Sequence, residues 1–497
     1  MWVTLQSALA ATVQGTIVDH ATGRPLARAQ VRLTRAGAED AGSAIDTRAN
    51  STGQFSFAGV SAGTYVLSAS RPGFAPMRYG QKKWNGAGAP IFLPQQESRF
   101  VAELRLRRLG AISGTVWDEN QVGLSEQDVV VYRAAQPPRM VEKTKTDDRG
   151  FYRIGGLNPG HYYVRARGQH WDPSYGLLPT FFKDSTMLES ARVIEVELDS
   201  QTLDVNIQPA FGKLFRVAGL ALVPARSRGV SVELLSDMGP VYGSVEPSGR
   251  FTFDQIAPGI YELAGEAVTQ WGSKIGGYRK IVVDQDQTDL SLPMTEQPEL
   301  AIQFEERHGQ KVDAKQIAVW ARRKGLADEG PARRIRAQEE PLMPGPWEIS
   351  VVPPSDLYLV SISAIGRSAA SSPPPANGWQ ELFLPTGEPL GVRVILSARA
   401  AMLHGKVITS NQPVIGAPVF LEPVALESGT GLVAIRRALT DAEGRYRFTG
   451  LTPGRYRVLS SFDLEQPTST EMENARATEV SLKEAADAGQ DLELFAK

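Results

Sequence analysis

The 497-residue sequence has no cysteine, so disulfides, thiolate nucleophiles and cysteine-ligated zinc or iron–sulfur centres are excluded. Histidine is scarce as well. The five present, His20, His161, His170, His308 and His404, show no metal-ligand spacing and read as solvated surface residues. No G-x-S-x-G, Walker A or dinucleotide-binding context occurs; "GAGAP" at 86–90 has no strand before it and no helix after it, and reads as a loop. No catalytic residue, metal site or cofactor is therefore expected. Charge of one sign is not in surplus: 53 Lys and Arg stand against 55 Asp and Glu, a net charge of −2. A nucleic-acid binder needs excess cations to neutralise phosphates, so nucleic acid is not an expected partner. No apolar run approaches the roughly 18–20 residues that cross a bilayer, and no membrane span is expected. The opening "MWVTLQSALAATVQG" has an "ALAA" like a signal-peptidase site. It lacks a basic start, and its apolar part is broken by Thr4, Gln6 and Ser7. Residues 1–11 read either as a signal remnant or as a leader into the first strand.

What the chain does have is turn formers, 47 Gly and 33 Pro, and an internal repeat. Residues 53–67 read "GQFSFAGVSAGTYVL", 150–164 "GFYRIGGLNPGHYYV", 249–263 "GRFTFDQIAPGIYEL" and 444–458 "GRYRFTGLTPGRYRV". The leading glycines Gly53, Gly150, Gly249 and Gly444 are separated by 97, 99 and 195 residues, so a worn copy is expected near residue 347. "GPWEISVVPPSDLYLV" (345–360) fills that place, with Gly345, Trp347, Ile349 and Val352 aligned to the first half of the pattern and Tyr358 one residue late. Opening strands recur in phase as "VQGTIVD", "ISGTVWD", "RVAGLAL" and "LHGKVIT".

Within each copy the apolar residues have period two, the mark of a half-buried strand. Phe55 and Phe57 face one way, Gln54 and Ser56 the other; Tyr446 and Phe448 face inward, Arg445 and Arg447 outward. A Pro-Gly or Ala-Gly turn then reverses the chain: proline presets φ and glycine accepts the positive φ. About seven short strands per repeat, without a convincing amphipathic helix, predict an all-β tandem array of about five antiparallel β-sandwich domains. The expected units are 12–109, 110–212, 213–297, a divergent 298–399, and 400–497. The segment 312–328 has some helical pattern, but its phase in the repeat favours a strand at 316–320. Short linkers predict a semi-rigid rod.

The combination of "GTVxD", "D-x-x-G-x-[FY]-x-[FI]" and "GLxPGxYxV" resembles the carboxypeptidase regulatory-like domain. Asp441, Gly444, Tyr446, Phe448, Gly450, Leu451, Pro453, Gly454 and Tyr456 match it in the last unit, and Asp147, Gly150, Tyr152, Leu157, Pro159, Gly160 and Tyr162 in the second. The resemblance implies a transthyretin-like, prealbumin-type sandwich in the immunoglobulin-like class. It also implies an extracytoplasmic setting: the periplasm, the outer-membrane surface or secretion. It is nearly silent on activity, because fold does not fix function. The same fold group includes starch-binding domains, which brings in carbohydrate binding by analogy. It also includes collagen-adhesin repeats that crosslink themselves through an isopeptide bond promoted by a Glu in Y-x-L-x-E. Here that place holds Ala69, Ala166, Gly265 and Ser460, so no such bond is expected.

After each tyrosine strand comes a loop whose aromatic rings the core does not demand. They are Tyr79 and Trp84, Trp171 and Tyr175, Trp271 and Tyr278, and Trp379; the last unit offers only Phe462. Such rings stack on sugars or anchor protein partners. Equally, they pack under their own loop or fill the junction to the next unit. These seven are the candidate ligand-binding residues. "DQDQTD" (284–289) resembles a fragment of a calcium loop through Asp284, Asp286 and Asp289, but its place between the last two strands favours a solvated turn. The fourth unit stands apart, with a charge-rich segment at 305–341 and a Pro/Ser loop at 368–378. The expected function is a non-catalytic exported scaffold, adhesion or protein-interaction chain, with cell-envelope proteins or polysaccharide as partners. The alternatives are a multivalent carbohydrate binder, whose weak sites add by avidity, and an accessory subunit of an envelope enzyme or outer-membrane transport system. An intact mass equal to that of the unmodified chain is the expected result for the isopeptide question; loss of one ammonia or water per unit overturns it.

Overall fold

A computed structural model describes residues 11–495 apart from 37–43, 95–97, 136–137, 171, 237–238, 325–331, 337–339, 366–377, 427–433 and 465. Residues 1–10 of the leader, Trp171, nearly all of the Pro/Ser loop and parts of the charge-rich segment lie outside the described residues. Ten of the eleven sheets form five two-sheet sandwiches, each around its own apolar cluster. The alternation read from the sequence sets the cores. Phe55 and Phe57, Tyr152 and Ile154, Phe251 and Phe253, and Tyr446 and Phe448 are all buried.

In every sandwich the opening strand lies parallel to the last strand. Ala11–Asp19 pairs with Arg99–Leu106, Gly110–Thr115 with Gln201–Thr202, and Phe215–Leu222 with Gln287–Pro293. Glu299–Glu306 pairs with Leu390–Ser397, and Ala401–Thr409 with Asp487–Gly489 and Leu492–Glu493. In four units the opening strand's other edge carries the aromatic strand, antiparallel. There a glycine always faces an aromatic residue: Gly15↔Phe55, Tyr152↔Gly114, Gly219↔Phe251 and Gly405↔Tyr446.

The glycine is required because the last strand's carbonyl occupies the space of a side chain. A Cβ at Gly15, Gly114, Gly219 or Gly405 would lie 1.8, 2.0, 2.1 or 1.8 Å from the carbonyl oxygen of Ala102, Val205, Leu290 or Gln490. The facing ring covers the bare backbone, as aromatic residues do for glycine across strands. Where the ring is tyrosine it also bonds that same carbonyl: Tyr152 Oη donates to Val205 O and Tyr446 Oη to Gln490 O, both at 2.5 Å.

The fourth unit departs from this plan, and its expected register is wrong. Gly345–Val352 pairs with Ala318–Arg323 and Gln380–Leu384, as Gly454–Ser460 pairs with Pro418–Leu426 and Thr478–Leu482. "PGPW" is therefore the Pro-Gly-x-Tyr turn, with Trp347 in the tyrosine's place, rather than the start of the aromatic strand. Trp347 Nε1 donates to Met343 O at 2.8 Å, four residues back. The tyrosines bond the same way: Tyr65 to Ser61 O, Tyr162 to Asn158 O, Tyr261 to Ala257 O and Tyr456 to Thr452 O. The turn glycines Gly63, Gly160, Gly259, Gly345 and Gly454 thus lie 97, 99, 86 and 109 residues apart. Of the aromatic strand only Glu340–Pro341 remains, paired with Glu299 and Leu300. Without a ring to accommodate, the opening strand carries buried Ile302 four residues before its terminal acid Glu306, where Gly15 stands before Asp19. Tyr358–Ala364 is an added strand that crosses to the free edge of Leu390–Ser397. The segment with helical pattern forms the strand Ala318–Arg323, preceded by one 3-10 turn.

The rod expectation also fails, because contacts run from each unit to the next and from the last back to the first. At the first junction Arg108 Nη2 lies 2.6 Å from buried Asp19 Oδ2, and Arg107 Nε lies 2.7 Å from Asp199 Oδ2. Burial pushes the Asp19 carboxyl up, but the Thr22 N–H and Arg108 outweigh it and hold the carboxyl below its ordinary value. Between the second and third units Leu214 N donates to Ser174 O at 2.7 Å and Gln255 Nε2 to Asp172 O at 3.3 Å, while Phe211–Lys213 joins Tyr175–Leu177 in the small eleventh sheet. Tyr278 of the third unit meets Phe383 of the fourth edge-on at 5.6 Å. Tyr358 Oη donates to Glu484 Oε1 at 3.0 Å between the fourth and fifth. Closure comes from Lys83 Nζ, 2.6 Å from Glu471 Oε1, and Lys82 Nζ, 3.3 Å from Asp463 Oδ2. Glu471 sits on the only α-helix among the described residues, Ser469–Asn474, which the sequence reading missed. Its Thr468/Glu471 capping box, "TSTE", was the available signal.

Substituting Gly405→Ala should destabilise the last unit by about 3 kcal/mol or more, because a Cβ there overlaps backbone that cannot move without breaking the parallel pair. Tyr446→Phe removes one hydrogen bond and should cost about 1 kcal/mol. Thermal and urea melts of both variants are the check. Equal costs would contradict the steric account.

Candidate functional site

The residues that recur most faithfully are occupied by the fold. Asp147 Oδ1 accepts from Arg149 N and Phe151 N at 2.9 and 2.8 Å, and Asp441 Oδ1 from Glu443 N and Arg445 N at 3.0 and 2.8 Å. Asn50 does the same with Thr52 N and Gln54 N in the first unit. These are side-chain-closed turns in front of a positive-φ glycine, as at Gly150 with φ of 76°. The acid ending the opening strand folds the next turn in the same way: Glu306 Oε2 accepts from His308 N and Gln310 N, and its Oε1 from Ala398 N. Burial pushes Glu306 up, yet these three bonds hold its carboxyl below the usual range.

One of the calcium-like acids is spent similarly. Asp286 Oδ1 accepts from Arg216 N at 2.9 Å, as Asn206 does from Thr115 N and Asp491 from Lys406 N. Each ties the last-strand segment of its unit to the parallel opening strand: Asp286 just before Gln287–Pro293, Asn206 after Gln201–Thr202, and Asp491 between Asp487–Gly489 and Leu492–Glu493. Among the described residues no group of three or more His, Asp or Glu could hold a metal ion. His404 Nδ1 lies 2.9 Å from Asp487 Oδ1 on an open surface, with about half of each side chain or more in solvent. His308 Nε2 lies 3.9 Å from Glu484.

The seven candidate aromatics are not brought to one site. Tyr79 packs on the first core and meets Phe100 edge-on at 5.3 Å. Trp84 is exposed, at 37%, on the loop that carries Lys82 and Lys83 to the last unit. Trp171 lies outside the described residues. Tyr175 stacks on Phe211 at 6.1 Å with an interplanar angle of 12°. Tyr278 lies between the third and fourth units, where a Cβ on Gly345 would meet its ring at 2.8 Å. Burial pushes the Tyr278 phenol up, and Glu262 adds to the rise. Trp379 takes the Arg322 guanidinium over its ring at 4.3 Å, and Arg322 in turn pairs with Glu348 at 2.6 Å. Trp271 is the most exposed of the described candidates, 81% exposed at the tip between Gly259–Val268 and Lys274–Val283.

The loops after the tyrosine strands therefore build junctions in three units and present one open indole in the third. Sequence reasoning missed Arg323 of the fourth unit, whose Nη2 is buried without a hydrogen-bond partner among the described residues. Burial pushes its guanidinium down, while Glu262, Glu233 and Glu266 of the third unit push it back. Its signal in the sequence was only its membership of a charged run.

Fold and site together define a chain of β-sandwich modules whose conserved-looking chemistry is structural. Residues 12–86 and 111–207 match the carboxypeptidase regulatory-like domain, and the chain carries repeats of that family. Serine-aspartate repeat-containing protein D of Staphylococcus aureus, strain MW2, is 23% identical over 263 residues, 46% of this chain and 19% of that protein. The chain thus spans about a fifth of the curated relatives it matches. Among solved structures, the minor pilin GBS52 of Streptococcus agalactiae is 14% identical, over 40% of this chain and 95% of that one, with a TM-score of 0.25. The shaft pilin SpaA of Lactobacillus rhamnosus GG is 12% identical, over 41% and 98%, with a TM-score of 0.23. No described helix is long and apolar enough to cross a membrane.

Trp271 should supply the emission component most readily quenched by acrylamide. Trp271→Phe should remove that component and leave the melting temperature within about 1 °C, as for other exposed positions. Loss of quenching only in Trp379→Phe would reverse the assignment.

Proposed function

We propose that this chain is a non-catalytic, extracytoplasmic scaffold or adhesion protein that displays binding surfaces on tandem sandwich units, divided as 12–109, 110–212, 213–297, 298–399 and 400–497. One observation carries the reading. The polar residues that recur between repeats, Asn50, Asp147 and Asp441 with the four tyrosine hydroxyls, are all engaged in closing turns. What differs between repeats is the outer face and the loops, which is where recognition is placed when a common scaffold is reused. Similarity to serine-aspartate repeat-containing protein D supports the same reading. The partner is a component of the cell envelope or of the surface the cell meets.

A second reading rests on Trp271. An open indole flanked by the exposed side chains of Gln270 and Ser273 offers a stacking face beside hydrogen-bonding groups, the combination that holds a sugar ring.

Solid-phase binding of the purified chain to fractionated envelope components tests both. The expected result is saturable capture of one protein component, whose mass is unchanged after incubation. Chemical conversion of the captured component contradicts the non-catalytic reading. Capture of polysaccharide that is lost in Trp271→Ala replaces the first reading with the second.

A further inference from the structure

A cavity of about 290 Å³ lies between the fourth and fifth units. Val351 and Leu357 line it from one side, and Leu421, Leu426 and Tyr456 from the other. The two walls are held close: a Cβ on Gly450, whose φ is +64°, would meet Ser355 O at 3.3 Å and Leu357 O at 3.4 Å. Tyr456 Oη is already used by Thr452 O, so it does not serve as the cavity's polar group.

That role falls to Arg436, half-buried on the cavity wall. Its Nη1 donates to Thr449 O at 2.8 Å, and its guanidinium lies 5.7 Å from the Phe448 ring. No described carboxylate pairs with it. Comparable arginines in the same half of the chain are neutralised: Arg322 by Glu348 at 2.6 Å, and Arg457 by Glu473 at 2.9 Å and Glu422 at 3.5 Å. Burial pushes the Arg436 guanidinium down, with only Tyr456 acting the other way. A buried cation left without a counter-charge costs stability, and a ligand that supplies one recovers it.

We infer that this inter-unit cavity is a binding site for a small organic acid, whose carboxylate pairs with Arg436 while its apolar body fills the space among Val351, Leu357, Leu421 and Leu426. The fork of a guanidinium matches a carboxylate's two oxygens. The volume admits a body on the order of ten non-hydrogen atoms at about 30 Å³ each. Pockets of this kind favour interfaces between domains. The site is independent of the surface-adhesion reading.

Isothermal titration of the full chain with benzoate and with neutral benzamide tests it. Benzoate is expected to bind at least ten-fold more tightly than benzamide. Arg436→Gln should bring the two within two-fold, with an unliganded melting temperature showing that the variant is folded. Leu426→Trp, which fills the apolar end and keeps the guanidinium, should abolish benzoate binding. Equal binding of the two probes by the unaltered chain overturns the inference. So does benzoate affinity unchanged in Arg436→Gln, or benzoate binding that survives Leu426→Trp.

Discussion

The parallel pairing of first and last strands, made over a glycine in four of the five units, is the constraint on which the sandwiches depend. At Gly15, Gly114, Gly219 and Gly405 the last strand sends a carbonyl into space that any side chain would occupy. An aromatic ring from the neighbouring strand covers the gap. This explains why the glycine and the aromatic recur together, and why both vanish together in the fourth unit. There the aromatic strand shrinks to Glu340–Pro341, and Ile302 supplies its own side chain to the core.

The same pairing decides how units connect. Parallel first and last strands send the chain out at the end opposite its entry, which by itself strings units into a rod. The junctions override that tendency. Arg107 and Arg108, Gln255 against Asp172, Tyr278 against Phe383, and Glu484 among Arg307, His308 and Arg399 hold successive units against one another. The loop bearing Lys82 and Lys83 then reaches the helix and neighbouring loop of the last unit. The loops after the tyrosine strands therefore act first as joints. Under the proposed function, recognition would fall to exposed single features such as Trp271 and to the clefts between units.

Much of the fold was legible because strands advertise themselves locally. Phe55 and Phe57, or Tyr446 and Phe448, alternate with polar residues, and the turn glycines mark each reversal. Legibility ended where one local pattern serves two structures. "GPWEIS" satisfies a G-x-aromatic-x-apolar pattern, yet only the Trp347 bond to Met343 and the pairing with Gln380–Leu384 reveal it as the turn strand. The closure was not legible, because Lys83 and Glu471 are 388 residues apart and nothing in either segment alone names the other. Of the candidate aromatics read as loop residues, Tyr79, Trp84, Trp271 and Trp379 lie outside strands, whereas Tyr175 and Tyr278 stand in the strands Tyr175–Leu177 and Lys274–Val283. The sequence had no means of separating Tyr278, caught between units, from Trp271, left in solvent, because both lie in one short run.

Small-angle X-ray scattering of the purified chain measures the closure directly. Five units of about 100 residues, each with a radius of gyration near 13 Å and joined in a closed circuit, should give about 30 Å overall. Five such units stacked end to end, at roughly 35 Å apiece, would give about 50 Å. The account predicts the smaller value, rising when Lys82 and Lys83 are both changed to Glu. A value near 50 Å for the unaltered chain contradicts it.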